Sequence, residues 1–307
     1  VADVVALLAG IVLAVVGGEL FVRGAVGLAG WLRVPAGIIG ATVAAFATSS
    51  PELSVAVNAA MSDRSAIALG DALGSNVVNI ALVLAVAIVL VPLVVERSDL
   101  RRNLPFAVAA PVLTGLLVID GTLGRVDAGV LLVAFLIWLT LTVVEAARAR
   151  SAAEMVLGEH RVGRAAWSVL LGLVLLVVAG RFIVVAAKGI GDALGLDEFV
   201  VGATLVALGT STPELATTIV SRWRGHDEVG LGTIIGSNIF NSFWIVGVAG
   251  LISPITVQGR EVAVGIVAGI VVTLLVAPGP ANRLGRRRGI LLLACYGGYL
   301  TALLAGA

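Results

Sequence analysis

The chain has 307 residues and a formal net charge of +1; 59% of its residues are hydrophobic and 13% are charged. Soluble domains run at about 45–50% apolar and about 25% charged, so the composition excludes a soluble domain and indicates an all-α polytopic membrane protein. The near-neutral balance gives no electrostatic case for a nucleic-acid partner, and a single cysteine, Cys295, excludes an intramolecular disulfide.

Apolar runs predict ten helical spans, near 4–31, 35–61, 66–91, 104–119, 128–147, 166–190, 199–221, 229–252, 261–278 and 289–306. The first run leads straight into the next and reads as a helix, not a cleaved leader. At 1.5 Å per residue it reaches about 40 Å, beyond a hydrocarbon core of about 30 Å, so it tilts or protrudes. Its glycines 17, 18, 24, 27 and 30 allow either sliding contacts or simple close packing, and it carries Glu19. Spans two and three hold "FATSSPEL" (from Phe46) and "GSNVVN" (Gly74–Asn79). Asp71, one turn before the latter, reads as a span-end residue. A short linker, 148–165, follows span five. Span six holds Arg181 at the place equivalent to Glu19; each is expected to snorkel separately to its interface. Spans seven and eight hold "LGTSTPEL" (from Leu208) and "GSNIFN" (Gly236–Asn241). His160 and His226 read as solvated loop residues, and Cys295 as filler in the last span. The run "RLGRRR", Arg283–Arg288, reads as a headgroup anchor.

Arginine placement orients the chain. The loops after odd-numbered spans carry Arg23 and Arg33; Arg97, Arg101 and Arg102; Arg148, Arg150, Arg161 and Arg164; Arg222 and Arg224; and Arg283 with Arg286 to Arg288. The other side holds Arg64, Arg125, Lys188 and Arg260. The odd loops are therefore expected in the cytoplasm and both termini outside, in the inner (plasma) membrane.

Self-comparison shows one unit written twice. At a single offset of 162 residues, Gly40 falls on Gly202, Thr42 on Thr204, Thr48 on Thr210, Ser49 on Ser211, Pro51 on Pro213 and Glu52 on Glu214. Gly74-Ser75-Asn76 falls on Gly236-Ser237-Asn238, Asn79 on Asn241 and Pro92 on Pro254. The units are residues 1–147 and 166–307. Five spans is an odd number, so the second copy enters the membrane from the opposite side. The expected architecture is two inverted five-helix repeats, with a substrate site near the midplane where they meet.

The repeated residues carry oxygen chemistry. Pro51 and Pro213 lack an N–H and break the helix one turn back, near Ala47 and Thr48 and near Gly209 and Thr210. Carbonyls freed in lipid need a partner, and a cation is one. A carboxylate at a helix centre costs about 2.5–3.5 kcal/mol, so Glu52 and Glu214 are expected to face a cavity and a partner. Thr48, Ser49, Thr210 and Ser211 add hydroxyls within a turn. Ser75 and Asn79, and Ser237 and Asn241, are four apart on one helical face. Without imidazole or thiolate, such a set suits Na⁺, Ca²⁺, Mg²⁺ or Mn²⁺ over Zn²⁺ or Cu⁺. Two carboxylates neutralise one divalent ion, and protons compete for them.

"ATSSPEL", "GTSTPEL" and the paired "GSNxxN" motifs resemble the two α-repeats of the Ca²⁺/cation antiporter superfamily, in its sodium/calcium exchanger branch of prokaryotic type. The resemblance covers nearly the whole chain. It implies a Ca²⁺ site formed by Glu52, Glu214 and the carbonyls of Thr48 and Thr210. It implies Na⁺ sites sharing those glutamates with Ser49, Ser211, Ser75, Ser237 and the carbonyls of Ala45 and Ala207, and a central position flanked by Asn79 and Asn241. It implies three Na⁺ exchanged per Ca²⁺, hence net charge movement, and a moving gate in spans one and six.

Some members, including potassium-dependent ones, carry Asp where this chain has Asn241, so no K⁺ requirement is expected. The linker is too short for a large Ca²⁺-sensing domain. The expected function is Na⁺/Ca²⁺ antiport by alternating access, not enzymatic, with no cofactor and no obligate protein partner. The alternatives are exchange of Ca²⁺ for H⁺, another divalent ion, a non-transporting ion receptor and, more remotely, an intramembrane hydrolase.

Overall fold

The structure is a computed structural model that describes residues 2–32, 34–62, 64–95, 97–152, 162–191, 198–256, 259–277 and 282–305. It is helical almost throughout. The first half runs α1 (Ala2–Leu32), α2 (Ala36–Ile39), α3 (Ala45–Thr48), α4 (Ser50–Met61), α5 (Ser65–Val77), α6 (Ala85–Leu90), α7 (Arg97–Leu117) and α8 (Arg125–Ala152). The second half runs α9 (Val162–Gly191), α10 (Glu198–Val201), α11 (Ala207–Thr210), α12 (Thr212–Trp223), α13 (Asp227–Ile239), α14 (Val246–Ile252), α15 (Gly259–Leu275) and α16 (Arg286–Leu304). Helices α8 and α9 extend into the expected linker, residues 148–152 and 162–165 continuing the flanking helices.

The spans that carry the motifs are the irregular ones. Four π-helical segments interrupt them: Gly40–Ala44, Val78–Leu84, Gly202–Val206 and Phe240–Ile245. A π turn inserts a residue into the helical ladder and re-aims the side chains around it, commonly at functional sites. Expected spans two and seven also bend, by 41° between Gly37–Thr48 and Ser50–Met61 and by 40° between Phe199–Thr210 and Thr212–Trp223. The bends sit where Pro51 and Pro213 occupy the first turns of α4 and α12, positions at which a missing N–H costs nothing.

Among the described residues, Ser65–Leu90, Arg125–Arg148 and Asp227–Ile252 are each long and apolar enough to cross a membrane, and the two bent pairs qualify when each is taken as one span. The other expected spans fall on α1, α7, α9, α15 and α16. Several of these miss that measure for visible reasons: α15 has only 17 residues, and α7 and α16 begin with clustered arginines.

Contacts made by one half reappear in the other with the partners exchanged. A methyl added at Gly74 would sit 2.4 Å from the Ala203 carbonyl oxygen, and one at Gly236 would sit 2.3 Å from that of Ala41. Only glycine permits this backbone approach. The first half thus packs α5 on the second half's π segment, and the second half packs α13 on the first's.

The same crossing closes the ends of the bundle. Four two-residue strands, which the helical reading did not anticipate, pair antiparallel between the halves: β1 (Leu93–Val94) with β4 (Arg283–Leu284), and β2 (Thr122–Leu123) with β3 (Ile255–Thr256). Arg286 donates Nε to the Val89 carbonyl (3.1 Å) at the end of α6, and Arg125 donates Nε to the Leu251 carbonyl (3.2 Å) at the end of α14. Arg288 likewise donates to the Ala277 carbonyl (2.6 Å) beyond α15. Two arginines of the "RLGRRR" run therefore cap helix carbonyls, a role local to the protein in place of the simple headgroup anchor expected.

Outside this core α1 packs along α9. Gly17 and Gly24 meet Gly172, Leu175 and Val169 there, while Gly18 faces Ala216 of α12. Glu19 does not stand alone at an interface as expected. Arg23 and Arg224 both pair with it, the latter from just beyond α12. The side chain of Arg181, with those of Lys188, His160 and Arg161, lies outside the described residues. His226 is half-buried, its Nδ1 3.5 Å from Glu228, and so is less solvated than expected. Cys295 is half-buried beside Tyr299 in an apolar groove of about 450 Å³ between α15 and α16.

Candidate ion site

The repeated polar residues meet in the middle of the bundle, where α4, α5, α12 and α13 approach one another. Thr48, Ser49, Glu52, Ser75, Asn79, Thr210, Ser211, Glu214, Ser237 and Asn241 are at most 1% exposed, as are Ala45 and Ala207. Each glutamate lies in the first turn of its helix, α4 or α12, where unpaired N–H groups and the helix dipole favour negative charge. Such burial of polar groups is costly unless something binds them.

Glu214 is served by both halves. Its Oε1 accepts hydrogen bonds from Ser237 Oγ (2.9 Å) and from Ser49 Oγ (3.2 Å). Thr48 Oγ1 lies 3.5 Å from Ser237 Oγ. Glu214 Oε2 has no partner.

Glu52 is different. Neither of its oxygens has a hydrogen-bond partner, and Ser211 Oγ, the counterpart of Ser49, has none either. Of the two hydroxyls that symmetry would give Glu52, that of Ser211 is unpartnered and that of Ser75 turns to Asp71. Thr210 Oγ1 donates to Asp71 Oδ1 at 3.1 Å and Ser75 Oγ donates to the same oxygen at 3.3 Å. Asp71 is fully buried, which corrects its reading as a span-end residue. Its helix continues into the bundle for two more turns, so position 71 is interior. The mate of Asp71 is Thr233, and a comparison that keeps only matched positions discards it.

The prolines open the backbone less than expected. Ser50 Oγ donates to the Ala47 carbonyl at 2.6 Å, closing one of the oxygens freed by Pro51. The carbonyls of Ala45 and Ala207 accept from the amides of Ser49 and Ser211, 3.0 Å each. The Thr48 hydroxyl also lies 3.4 Å from the Ala45 carbonyl, and the carbonyls of Val206 (3.1 Å) and Ala207 (3.3 Å) share the Thr210 proton with Asp71.

A belt of amides crosses the site. Asn79 Nδ2 donates to Asn238 Oδ1 (3.0 Å), Asn238 Nδ2 to the Asn76 carbonyl (3.0 Å), and Asn241 Nδ2 to Asn76 Oδ1 (3.3 Å). Asn76 Nδ2 donates to Ser242 Oγ (2.6 Å). Asn76 and Asn238, the middle residues of each Gly-Ser-Asn, thus hold the amide nitrogens of Asn79 and Asn241. The Oδ1 atoms of Asn79 and Asn241 are buried without a partner. Asn76 and Asn238 match at the repeat offset, but the match alone does not show what either side chain holds.

Unpartnered oxygens therefore gather from both halves: Glu52 Oε1 and Oε2, Glu214 Oε2, Asp71 Oδ2, Ser211 Oγ, and Oδ1 of Asn79 and Asn241. Among the described residues no arginine or lysine pairs with these carboxylates, and oxygens of this kind suit a hard cation. Buried carboxylates and amides from both halves, inside a bundle of apolar helices, point to the class of membrane ion-binding proteins.

The chain matches the family described as "Sodium/calcium exchanger protein" over residues 3–144 and 164–305. It is 33% identical to the inner membrane protein YrbG of Escherichia coli, the match covering 93% of this chain and 92% of that one. It is 27% identical to the sodium/calcium exchanger MaX1 of Methanosarcina acetivorans, over 97% of each. The fold superimposes on solved structures of the sodium-calcium exchanger NCX_Mj with a TM-score of 0.83, 30% identity and 98% coverage of both chains. The protein is a membrane protein of the sodium/calcium exchanger family.

Proposed function

We propose that this protein is a Na⁺/Ca²⁺ antiporter working by alternating access. Ten spans would form two inverted five-helix repeats, residues 1–147 and 166–307, joined by 148–165, with both termini outside the inner membrane. The observation that carries the reading is the pair of fully buried glutamates, one from each repeat, with oxygens left unpartnered among buried hydroxyls and amides. In this reading Glu52 and Glu214, with the carbonyls of Thr48 and Thr210, take Ca²⁺. The same glutamates with Ser49, Ser211, Ser75, Ser237 and the carbonyls of Ala45 and Ala207 take Na⁺, and Asn79 and Asn241 flank the central position. The exchanged crossing of Gly74 on Ala203 and Gly236 on Ala41 supports the inverted arrangement.

Competition follows from shared ligands. The two glutamates cannot serve a Ca²⁺ and a full set of Na⁺ ions together, so binding one ion type displaces the other. With Asn at position 241 in place of a carboxylate, the site needs no K⁺. With Glu52 and Glu214 ionised, Ca²⁺ leaves their pair neutral and three Na⁺ leave it at +1, so exchange moves charge.

The test is ⁴⁵Ca²⁺ flux in proteoliposomes with imposed Na⁺, K⁺ or H⁺ gradients and a clamped potential. Na⁺-driven flux that responds to potential and ignores K⁺ is expected. Flux driven by a pH gradient and indifferent to Na⁺ would overturn the reading, and Ca²⁺ binding without flux would leave a receptor.

A further inference from the structure

The two sides of the site are unequal, and Asp71 is where they part. Thr233, its counterpart at the same offset, is fully buried and returns its hydroxyl to the Val229 carbonyl at 2.8 Å. Asp71 instead reaches the site. Thr210 and Ser75 both donate to its Oδ1, and its Oδ2 is buried with no partner. Both oxygens of Glu52 are unpartnered as well.

Charge counting shows what is missing. Glu52 and Glu214 together balance one divalent ion. Asp71 adds a third carboxylate, and among the described residues no arginine or lysine pairs with any of the three. A buried carboxylate without a counter-charge is strongly disfavoured. The three do not close on one point: among the described residues, no three Asp, Glu, His or Cys side chains are grouped closely enough to hold a single ion. Asp71 touches Ser75, a residue that the exchanger reading gives to Na⁺ and not to Ca²⁺, so the ion it would meet is singly charged. Ser75 and Thr210 lie 3.4 Å apart beside Asp71, so two hydroxyl oxygens stand next to its carboxylate on this side.

We infer that Asp71 is an acidic ligand for a monovalent cation on the Ser75–Thr210 side of the site, and that it makes this side bind Na⁺ more tightly than the Ser237–Thr48 side. The inference rests on the exchanger reading of the pocket. A carboxylate here enlarges the set of oxygens around one ion without adding to the Ca²⁺ ligands, so it tunes Na⁺ against Ca²⁺.

The experiment is equilibrium binding to the purified full-length chain, with ²²Na⁺, ⁸⁶Rb⁺ and ⁴⁵Ca²⁺ as separate probes. Asp71→Asn should raise the half-saturating ²²Na⁺ concentration about tenfold and shift that of ⁴⁵Ca²⁺ by less than about threefold. Unchanged ²²Na⁺ binding would overturn the inference, since a proton would then be balancing the charge. Equal weakening of both ions would overturn it too, as a structural role does that. A larger loss of ⁸⁶Rb⁺ than of ²²Na⁺ would overturn the assignment to Na⁺.

Thr233→Asp places a carboxylate on the mirror side and should tighten ²²Na⁺ binding. If Asp71→Asn does not fold, this variant decides: unchanged ²²Na⁺ binding with intact ⁴⁵Ca²⁺ binding sinks the inference. Na⁺-driven ⁴⁵Ca²⁺ flux of the wild-type chain separates the two claims. Its absence would end the exchanger reading, while the binding shifts would still report on Asp71.

Discussion

Ser49 donates its hydroxyl to Oε1 of Glu214 at 3.2 Å, across a sequence separation of 165 residues. The carboxylate of one repeat is thus solvated by the other, and neither half holds a complete site. Any movement that separates the halves stretches this bond, which in the exchanger reading would link ion occupancy to conformation.

Glu214→Gln keeps the size of the side chain and removes its charge. It should lower ⁴⁵Ca²⁺ uptake in proteoliposomes by about two orders of magnitude, the scale of a lost charged ligand. Elution of the variant as a single detergent-solubilised species would show that the fold survives. Full transport by Glu214→Gln would refute shared ligation.

The hydroxyls of the two Thr-Ser pairs should respond unequally. Ser49 is bonded to Glu214, while Ser211 Oγ has no partner. Ser49→Ala should therefore destabilise the ion-free protein, by about 1 kcal/mol. Ser211→Ala should leave ion-free stability unchanged and weaken ion binding only. Thermal unfolding in detergent, with and without Ca²⁺, reads both effects; equal losses in the ion-free state would contradict the asymmetry.

Asn241→Asp adds a carboxylate where the amide oxygen is now unpartnered. Flux should then become sensitive to pH across the neutral range or come to depend on K⁺, because the added charge needs a counter-ion. A variant with wild-type pH and K⁺ profiles would place Asn241 outside the transport path.

Close helix approach at Gly236 should be a point of fragility. A methyl there would lie 2.3 Å from the Ala41 carbonyl, whereas at Gly297 it would meet nothing within 4 Å. Gly236→Ala should cost about 1–3 kcal/mol, read as a lower unfolding midpoint, with Gly297→Ala as a control that does not shift.

Much of this arrangement was legible in the sequence, because its strongest signals are chemical. Pro-Glu and Gly-Ser-Asn inside apolar runs are expensive, so their repetition at one offset locates the site before any contact is known. The same comparison hid Asp71, since the repeat supplies Thr233 there and an unmatched residue drops out. Asn76 and Asn238 match at the same offset, but their part as holders of Asn79 and Asn241 depends on π turns that re-aim the side chains, and π turns have no simple sequence period. The two-residue strands are too short to show alternation, and the reach of Arg286 to Val89 depends on which helix end lies nearby, which composition does not encode.

The crossed strands β1–β4 and β2–β3 have a consequence for assembly. Each takes one strand from either half, and the arginine caps on α6 and α14 are also exchanged. A half made alone would have bare strand edges, an uncapped helix end and bare polar side chains that the other half now buries. All three defects are mended at once when the second half docks. The molecule is in this sense an internal dimer, its two units fused by the chain yet completed only by each other.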